Sequence, residues 1–175
     1  MQNIIIKKLN DIEQAENITI LHAVESGSRA WGFASPDSDY DVRFFYVRPK
    51  AYYLRLDRTR DVLEYPLNDL LDINGWDIDK TLKLLHASNP TLFEWSNSPI
   101  VYITTDEFKQ LLPLIGNYFV AKSGLWHYLT PEVSASSFCE SPRTFRSRLK
   151  LVSRFLLLSI KTSSATETNL FISAS

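Results

Sequence analysis

The chain has 175 residues, 13% of them aromatic, which is enough for one domain with a substantial core and argues against general disorder. Its formal net charge of −1 offers no global basic field for nucleic acid, although a local patch stays open. A single cysteine, Cys139, excludes an intrachain disulfide and a thiolate zinc cluster, and fits a reducing, cytoplasmic setting.

Along the chain, Ile5, Leu9, Ile12 and Glu16 recur at helical spacing, predicting a helix over residues 3–16. The run Ile4-Ile5-Ile6 is too short for a signal core, and Lys7-Lys8 follows it instead of preceding it. No stretch has the apolar length to span a bilayer, so no membrane partner is expected. Ile18–Val24 is rich in β-formers and reads as a strand. Glu25–Asp37 holds glycine, serine and proline and reads as loop with a short helical turn. Tyr40–Val47 is a second, largely buried strand. Residues 50–60 are mixed.

Val62–Tyr65 and Leu70–Ile73 are short strand candidates. Asp77–Ala87 reads as a helix with Ile78, Leu82 and Leu85 on its buried face, and Trp76 and Trp95 complete that core set. Asn89-Pro90 opens another short helix through Trp95. Pro99–Thr104 is a brief apolar run. Thr104 to Glu107 has capping-box spacing, predicting a helix to about Ile115. After Thr130 the chain has no tryptophan or tyrosine and becomes serine-rich. The expected organisation is a domain over 1–129, a basic helical appendage over 130–160 and a polar, poorly ordered tail over 161–175.

Chemistry concentrates in one segment, Gly27-Ser28-Arg29-Ala30-Trp31-Gly32 through Asp37-Ser38-Asp39-Tyr40-Asp41. Alternation on a strand turns Asp39 and Asp41 to one face and Tyr40, Val42 and Phe44 to the other. Two carboxylates held together repel unless a cation sits between them, and magnesium prefers such oxygen ligands while sharing its shell with phosphates. Gly27-Ser28 fits the companion task. Glycine lets the backbone approach a ligand, turn amides and the Ser28 hydroxyl bind phosphate oxygens, and Arg29 adds a charged donor. The bland alternatives are a solvated Asp-Ser-Asp turn, a surface ion pair for Arg29 and a packing role for Trp31. An EF-hand loop starting at Asp37 fails, because Val42 stands where glycine is needed and Arg48 where glutamate is needed.

Gly-Ser, a gap of about ten residues and Asp-x-Asp resemble the signature of the DNA polymerase beta nucleotidyltransferase superfamily. The string GSRAWGFASPDSDYDVRFFYV, with DINGWDIDKTLKLL and SNPTLFEWSNSPIVY downstream, is similar to one family of bacterial and phage nucleotidyltransferases, some associated with RNA ligases in RNA repair. The resemblance covers roughly residues 15–129. It implies an α/β (α+β) fold, a small mixed, twisted sheet backed by helices on one side, with a helical C-terminal part as the other wall of the site. It implies that Gly27 and Ser28 hold a nucleoside triphosphate (NTP), with Arg29 beside them. Asp39 and Asp41 would ligate Mg2+ or Mn2+, together with a third carboxylate from a later strand. Asp72, alternating with apolar residues, is the choice for that third position; Asp77 is the runner-up, although it sits where a helix N-cap is expected, and Glu64 follows.

The implied reaction is transfer of a nucleotide to an acceptor hydroxyl with pyrophosphate release, on an acceptor left open between an RNA end, a protein and a small molecule. Alternatives are a catalytically silent nucleotide-binding or regulatory module of the same fold, and an RNA-repair accessory protein. The accessory reading draws on the basic cluster Arg143, Arg146, Arg148, Lys150 and Arg154, which reads more simply as a solvated helix face. His22, His86 and His127 show no ligand spacing and read as structural. His127 lies in the family-like segment GLWHYL, so a substrate contact there stays open. Cys139 reads as an incidental thiol, and Glu94 as a partly buried polar residue. Beyond about Leu129 the chain departs from the family pattern, which reads as a truncated or frameshifted gene product.

Overall fold

A computed structural model describes residues 1–118, apart from residues 36, 58, 59 and 69. His127, Cys139, the basic cluster after Arg143, the appendage at 130–160 and the tail at 161–175 lie outside the described residues.

The first helix, α1 (Gln2–Glu16), places Ile5, Leu9 and Ile12 on one stripe, all buried. It ends at Asn17, whose left-handed backbone (φ 51°) lets the amides of Asn17 and Ile18 close back on the carbonyls of Gln14 and Glu13. Next come β1 (Thr19–Ser26), the single turn α2 (Gly27–Ala30), β2 (Tyr40–Val47) and the turn α3 (Lys50–Tyr53). The chain continues through β3 (Val62–Asn68), β4 (Leu71–Asp77), α4 (Ile78–His86), α5 (Pro90–Ser96), β5 (Val101–Thr104) and α6 (Asp106–Tyr118).

The five strands form one sheet in the order β3-β4-β2-β1-β5. The β2–β4 pair is parallel and the other three pairs are antiparallel. Alternation divides the side chains of β2. Val42, Phe44 and Tyr46 pack under α1, whereas Phe45 meets Leu92, Phe93, Trp95 and Phe108 from α5 and α6. Helices therefore cover both faces of the sheet, not one side as expected. Among the described residues, the helices on the second face pack toward the Phe45 end of β2.

Several boundaries differ from the sequence expectation, each for a local reason. Both β3 and β4 run longer, and β4 does so because Gly75 continues in the strand. A Cβ at Gly75 would lie 2.2 Å from Cζ of Phe44, its register partner, so glycine is there to admit the ring. Gly75→Ala is expected to cost about 1–3 kcal/mol through overpacking, read as a lower urea midpoint, and Phe44→Leu in the same background should recover part of it. The buried face of α4 centres on Thr81, Leu84 and Leu85, and Leu82 is left 48% exposed. Thr81 belongs to the inner face because its hydroxyl donates to the carbonyl of Asp77 (2.9 Å). The cap of α6 is Thr105, whose Oγ1 accepts from Phe108 N (3.3 Å), since Thr104 is still paired in β5. Asn89 caps α5 as expected, accepting from Thr91 N and Leu92 N, with Pro90 at the first position.

His22 bears out a structural role. It is buried and stacked on Phe108, with ring centroids 4.3 Å apart, and among the described residues neither ring nitrogen has a hydrogen-bond partner. Burial pushes its pKa down to about 4 from 6.5. Between those two values the unfolded chain takes up the proton and the folded one does not. Stability is therefore full above pH 6.5 and falls, by on the order of 3 kcal/mol, as pH drops toward 4. His22→Phe should flatten this slope in urea melts compared at pH 7 and pH 5. A slope unchanged by the substitution would show that His22 does not carry it.

Candidate active site

The site forms where β1 ends and β2 begins. β1 runs to Ser26, and the chain then turns at Gly27 with φ +65°. That left-handed conformation suits glycine, and space demands it too: a Cβ there would lie 2.0 Å from Asp41 Oδ2. Gly27 and Ser28 start the α2 turn, and the carbonyl of Ser28 accepts from Phe33 N (2.9 Å). The expected short helical turn is present, although β1 extends two residues past Val24.

Asp41 is paired with Ser26 on one side and with Asp72 on the other. Because β2 and β4 are parallel neighbours in register, the Asp41 and Asp72 side chains share a face at about one strand spacing, ~4.8 Å. Asp39 lies just ahead of β2. Burial raises the Asp41 carboxyl above its ordinary pKa, the Arg43 guanidinium opposes this, and the charges of Asp72 and Asp39 add to the rise. The three aspartates thus form one electrostatic neighbourhood beside the Gly27 turn.

Arg43 is the residue that sequence reasoning missed. Its Nη2 donates to Asp41 Oδ1 (3.0 Å) and to Asp72 Oδ2 (2.6 Å), and its Nη1 to the carbonyl of Asp72 (3.1 Å). The signal was available: Arg43 has the same strand parity as Asp41, so alternation alone places this cation on the carboxylate face. Arg29 reaches the loop ahead of β2. Its Nε donates to the carbonyl of Asp39 (3.1 Å), one Nη donates to the carbonyl of Ser38, and its guanidinium lies 3.9 Å above the Tyr40 ring. Arg29 thereby clamps the loop carrying Asp39 onto the α2 turn.

The other carboxylate candidates stand elsewhere. Asp77 caps α4, accepting from Asp79 N (2.8 Å) and from the Tyr53 hydroxyl (3.0 Å). It lies five residues along β4 from Asp72, roughly 16 Å away, beside a cleft of about 620 Å³ lined in part by Tyr52, Tyr53 and Asp61. Glu64 is exposed on β3 and ion-paired with Arg60 (2.6 Å). Glu94 is half-buried, as expected, and burial raises its pKa to about 7.

The donor set suits a hard divalent cation, since Asp39, Asp41 and Asp72 are all carboxylates and Asp41 Oδ2 lies against a glycine with no Cβ. Among the described residues, no three such side chains already converge on one metal position. Arg43 takes one oxygen of each strand aspartate and holds the pair in that arrangement.

A five-stranded mixed sheet with helices packed on it, carrying aspartates beside a glycine turn, is consistent with a polymerase-beta-type nucleotidyltransferase fold. The chain belongs to the RNA repair pathway DNA polymerase beta family, whose model matches residues 1–148. That match reaches beyond Leu129, so the family pattern continues further along the chain than the motifs alone indicated. Over 132 residues the chain is 51% identical to "Uncharacterized protein YcgL" of Bacillus subtilis (strain 168), covering 74% of this chain and 50% of that protein. The chain spans about half the length of this curated relative. Among the described residues, no helix is long and apolar enough to cross a membrane.

Proposed function

We propose that the chain carries a divalent-metal-dependent nucleotidyltransferase site, moving a nucleotide from a nucleoside triphosphate to an acceptor hydroxyl. The observation that carries this reading is the register of two neighbouring parallel strands, which sets Asp41 beside Asp72 next to the Gly27 turn. Asp39, Asp41 and Asp72 would hold Mg2+ or Mn2+, which supplies charge neutralisation for the triphosphate when bound. Arg43 would then share the two strand aspartates or release them, because it holds an oxygen of each.

The amides of the Gly27-Ser28 turn and the Ser28 hydroxyl would orient the phosphates. The acceptor oxygen attacks the α-phosphorus, the bond from that phosphorus to the bridging oxygen of the β-phosphate breaks, and pyrophosphate leaves. The hydroxyl proton would pass to Asp72, the third carboxylate of the set. The chain's contribution is position and charge compensation, not a covalent intermediate. The acceptor class stays open between an RNA end, a protein and a small molecule, and family membership favours the RNA end.

One observation favours a second reading. With Arg43 already compensating Asp41 and Asp72, the fold also suits a silent module that binds nucleotide without turnover. Incubating the protein with each α-labelled triphosphate, Mg2+ or Mn2+ and candidate acceptors, followed by product mass spectrometry, separates the two. Labelled product with pyrophosphate supports transfer. Triphosphate binding without pyrophosphate release under every condition supports the silent module and ends the transferase proposal.

A further inference from the structure

Glu25 is the most deeply buried carboxylate near the site, at 1% exposure, although its sequence neighbourhood reads as loop. It is the penultimate residue of β1, where that strand is about to leave the sheet at Gly27. A strand that turns away stops offering carbonyls to its neighbour, and the first amides of β2 then need another acceptor. The Glu25 side chain provides one: its Oε1 accepts from Asp41 N at 2.8 Å. Its Oε2 accepts from the Tyr102 hydroxyl at 2.5 Å, across the sheet on β5.

The Glu25 backbone is tied as firmly, its amide donating to Ile100 O (2.9 Å) and its carbonyl accepting from Ser98 Oγ (2.5 Å). Burial and the neighbouring Glu25 hold the Tyr102 phenol well above its ordinary pKa, so the proton stays on Tyr102 and the phenol remains a donor. Burying a carboxylate is costly, and a well-packed apolar residue generally serves stability as well or better. Stability alone is therefore a poor account of Glu25, whereas its link to the Asp41 backbone is specific.

We infer that Glu25, braced by Tyr102, is a positioning residue that fixes the Asp41 backbone against the Gly27 turn and so sets the metal-binding geometry of the Asp41 carboxylate. The inference rests on the metal reading proposed above. It concerns a residue that touches neither metal nor substrate and acts through the Asp41 amide.

The test is Mn2+ affinity of the full chain, measured by electron paramagnetic resonance of the free aquo-ion, with thermal melts alongside. Glu25→Met removes both acceptors at similar size and is expected to weaken Mn2+ roughly tenfold, the low end for an outer-shell partner. Tyr102→Phe removes only the brace and should weaken it by roughly threefold. Glu25→Gln keeps an acceptor for Asp41 N and should stay within about twofold of wild type, a rescue that generic destabilisation does not predict.

Wild-type affinity in a folded Glu25→Met overturns the inference. So does a Glu25→Gln as weak as Glu25→Met, because the charge and not the positioned acceptor would then matter. Should Glu25→Met fail to fold, an unchanged affinity in Tyr102→Phe overturns it equally. A wild-type protein that binds no Mn2+ defeats the metal reading itself, whereas wild-type binding with an unaffected Glu25→Met defeats only this inference.

Discussion

Asp41→Asn is expected to reduce nucleotide transfer by about a hundredfold to a thousandfold while leaving the fold intact, the scale seen when one electrostatic element of an active site is removed. Asparagine has nearly the same shape, so the difference is charge. Asp41 sits half-buried between Ser26 and Asp72, and its carboxylate is already disfavoured by burial and by the charges of Asp72 and Asp39. Removing that charge relieves repulsion, and Arg43 keeps its contact with Asp72, so the melting temperature should hold or rise slightly. Metal affinity should fall together with transfer. Asp72→Asn should follow the same pattern, whereas Asp77→Asn, at the far end of β4, should leave Mn2+ affinity unchanged. Parallel Mn2+ titrations and thermal melts of the three variants check this. Normal metal and triphosphate binding by both Asp41→Asn and Asp72→Asn would remove the basis of the proposed site.

Gly27→Ala carries the second large effect, for two additive reasons. The first is backbone strain: at φ +65° a side chain costs roughly 1–2 kcal/mol. The second is a collision, because the new Cβ would stand 2.0 Å from Asp41 Oδ2 and 2.9 Å from its Cγ. No real contact is that short, so either the turn or the Asp41 carboxylate must move, and either shift spoils the relation between the phosphate turn and the acid. The expected outcome is a loss of about 2–5 kcal/mol in urea unfolding, together with at least a roughly tenfold loss of Mn2+ and triphosphate affinity. Gly32→Ala is the natural control. It also has positive φ (78°), but a methyl group there would meet nothing within 4 Å, so it should show the strain without the loss of affinity. Equal losses of affinity in the two variants would show that strain alone, and not contact with Asp41, explains the effect.

The residues that are readable from the chain are those whose meaning is local. Asp39-x-Asp41 followed by an alternating apolar strand needs only the two-residue period of a β-strand to be understood. The α1 stripe of Ile5, Leu9 and Ile12 and the Asn89-Pro90 helix start are similarly local, and the structure shows both. Leu82 falls on the wrong face in a sequence reading because α4 has apolar side chains on adjacent faces, and only the position of its neighbours decides which face turns inward. The strand candidate read from the chain stops at Ile73, short of Gly75, and the reason glycine sits mid-strand is a ring on a different strand.

The sequence by itself determined the aspartate pair, the glycine-serine turn that precedes it and the family they resemble, since all of these lie within one short stretch of chain. Tertiary structure alone decided that Asp72 stands beside Asp41, that Arg43 bridges them, that Arg29 clamps the Asp39 loop, and that Glu25 and Tyr102 hold the Asp41 amide. Those relations join residues up to 77 positions apart, through a parallel strand pairing and a sheet order that no local periodicity encodes. Strand register is settled by packing against both faces of the sheet at once, which is why it becomes visible only when the whole sheet is in place.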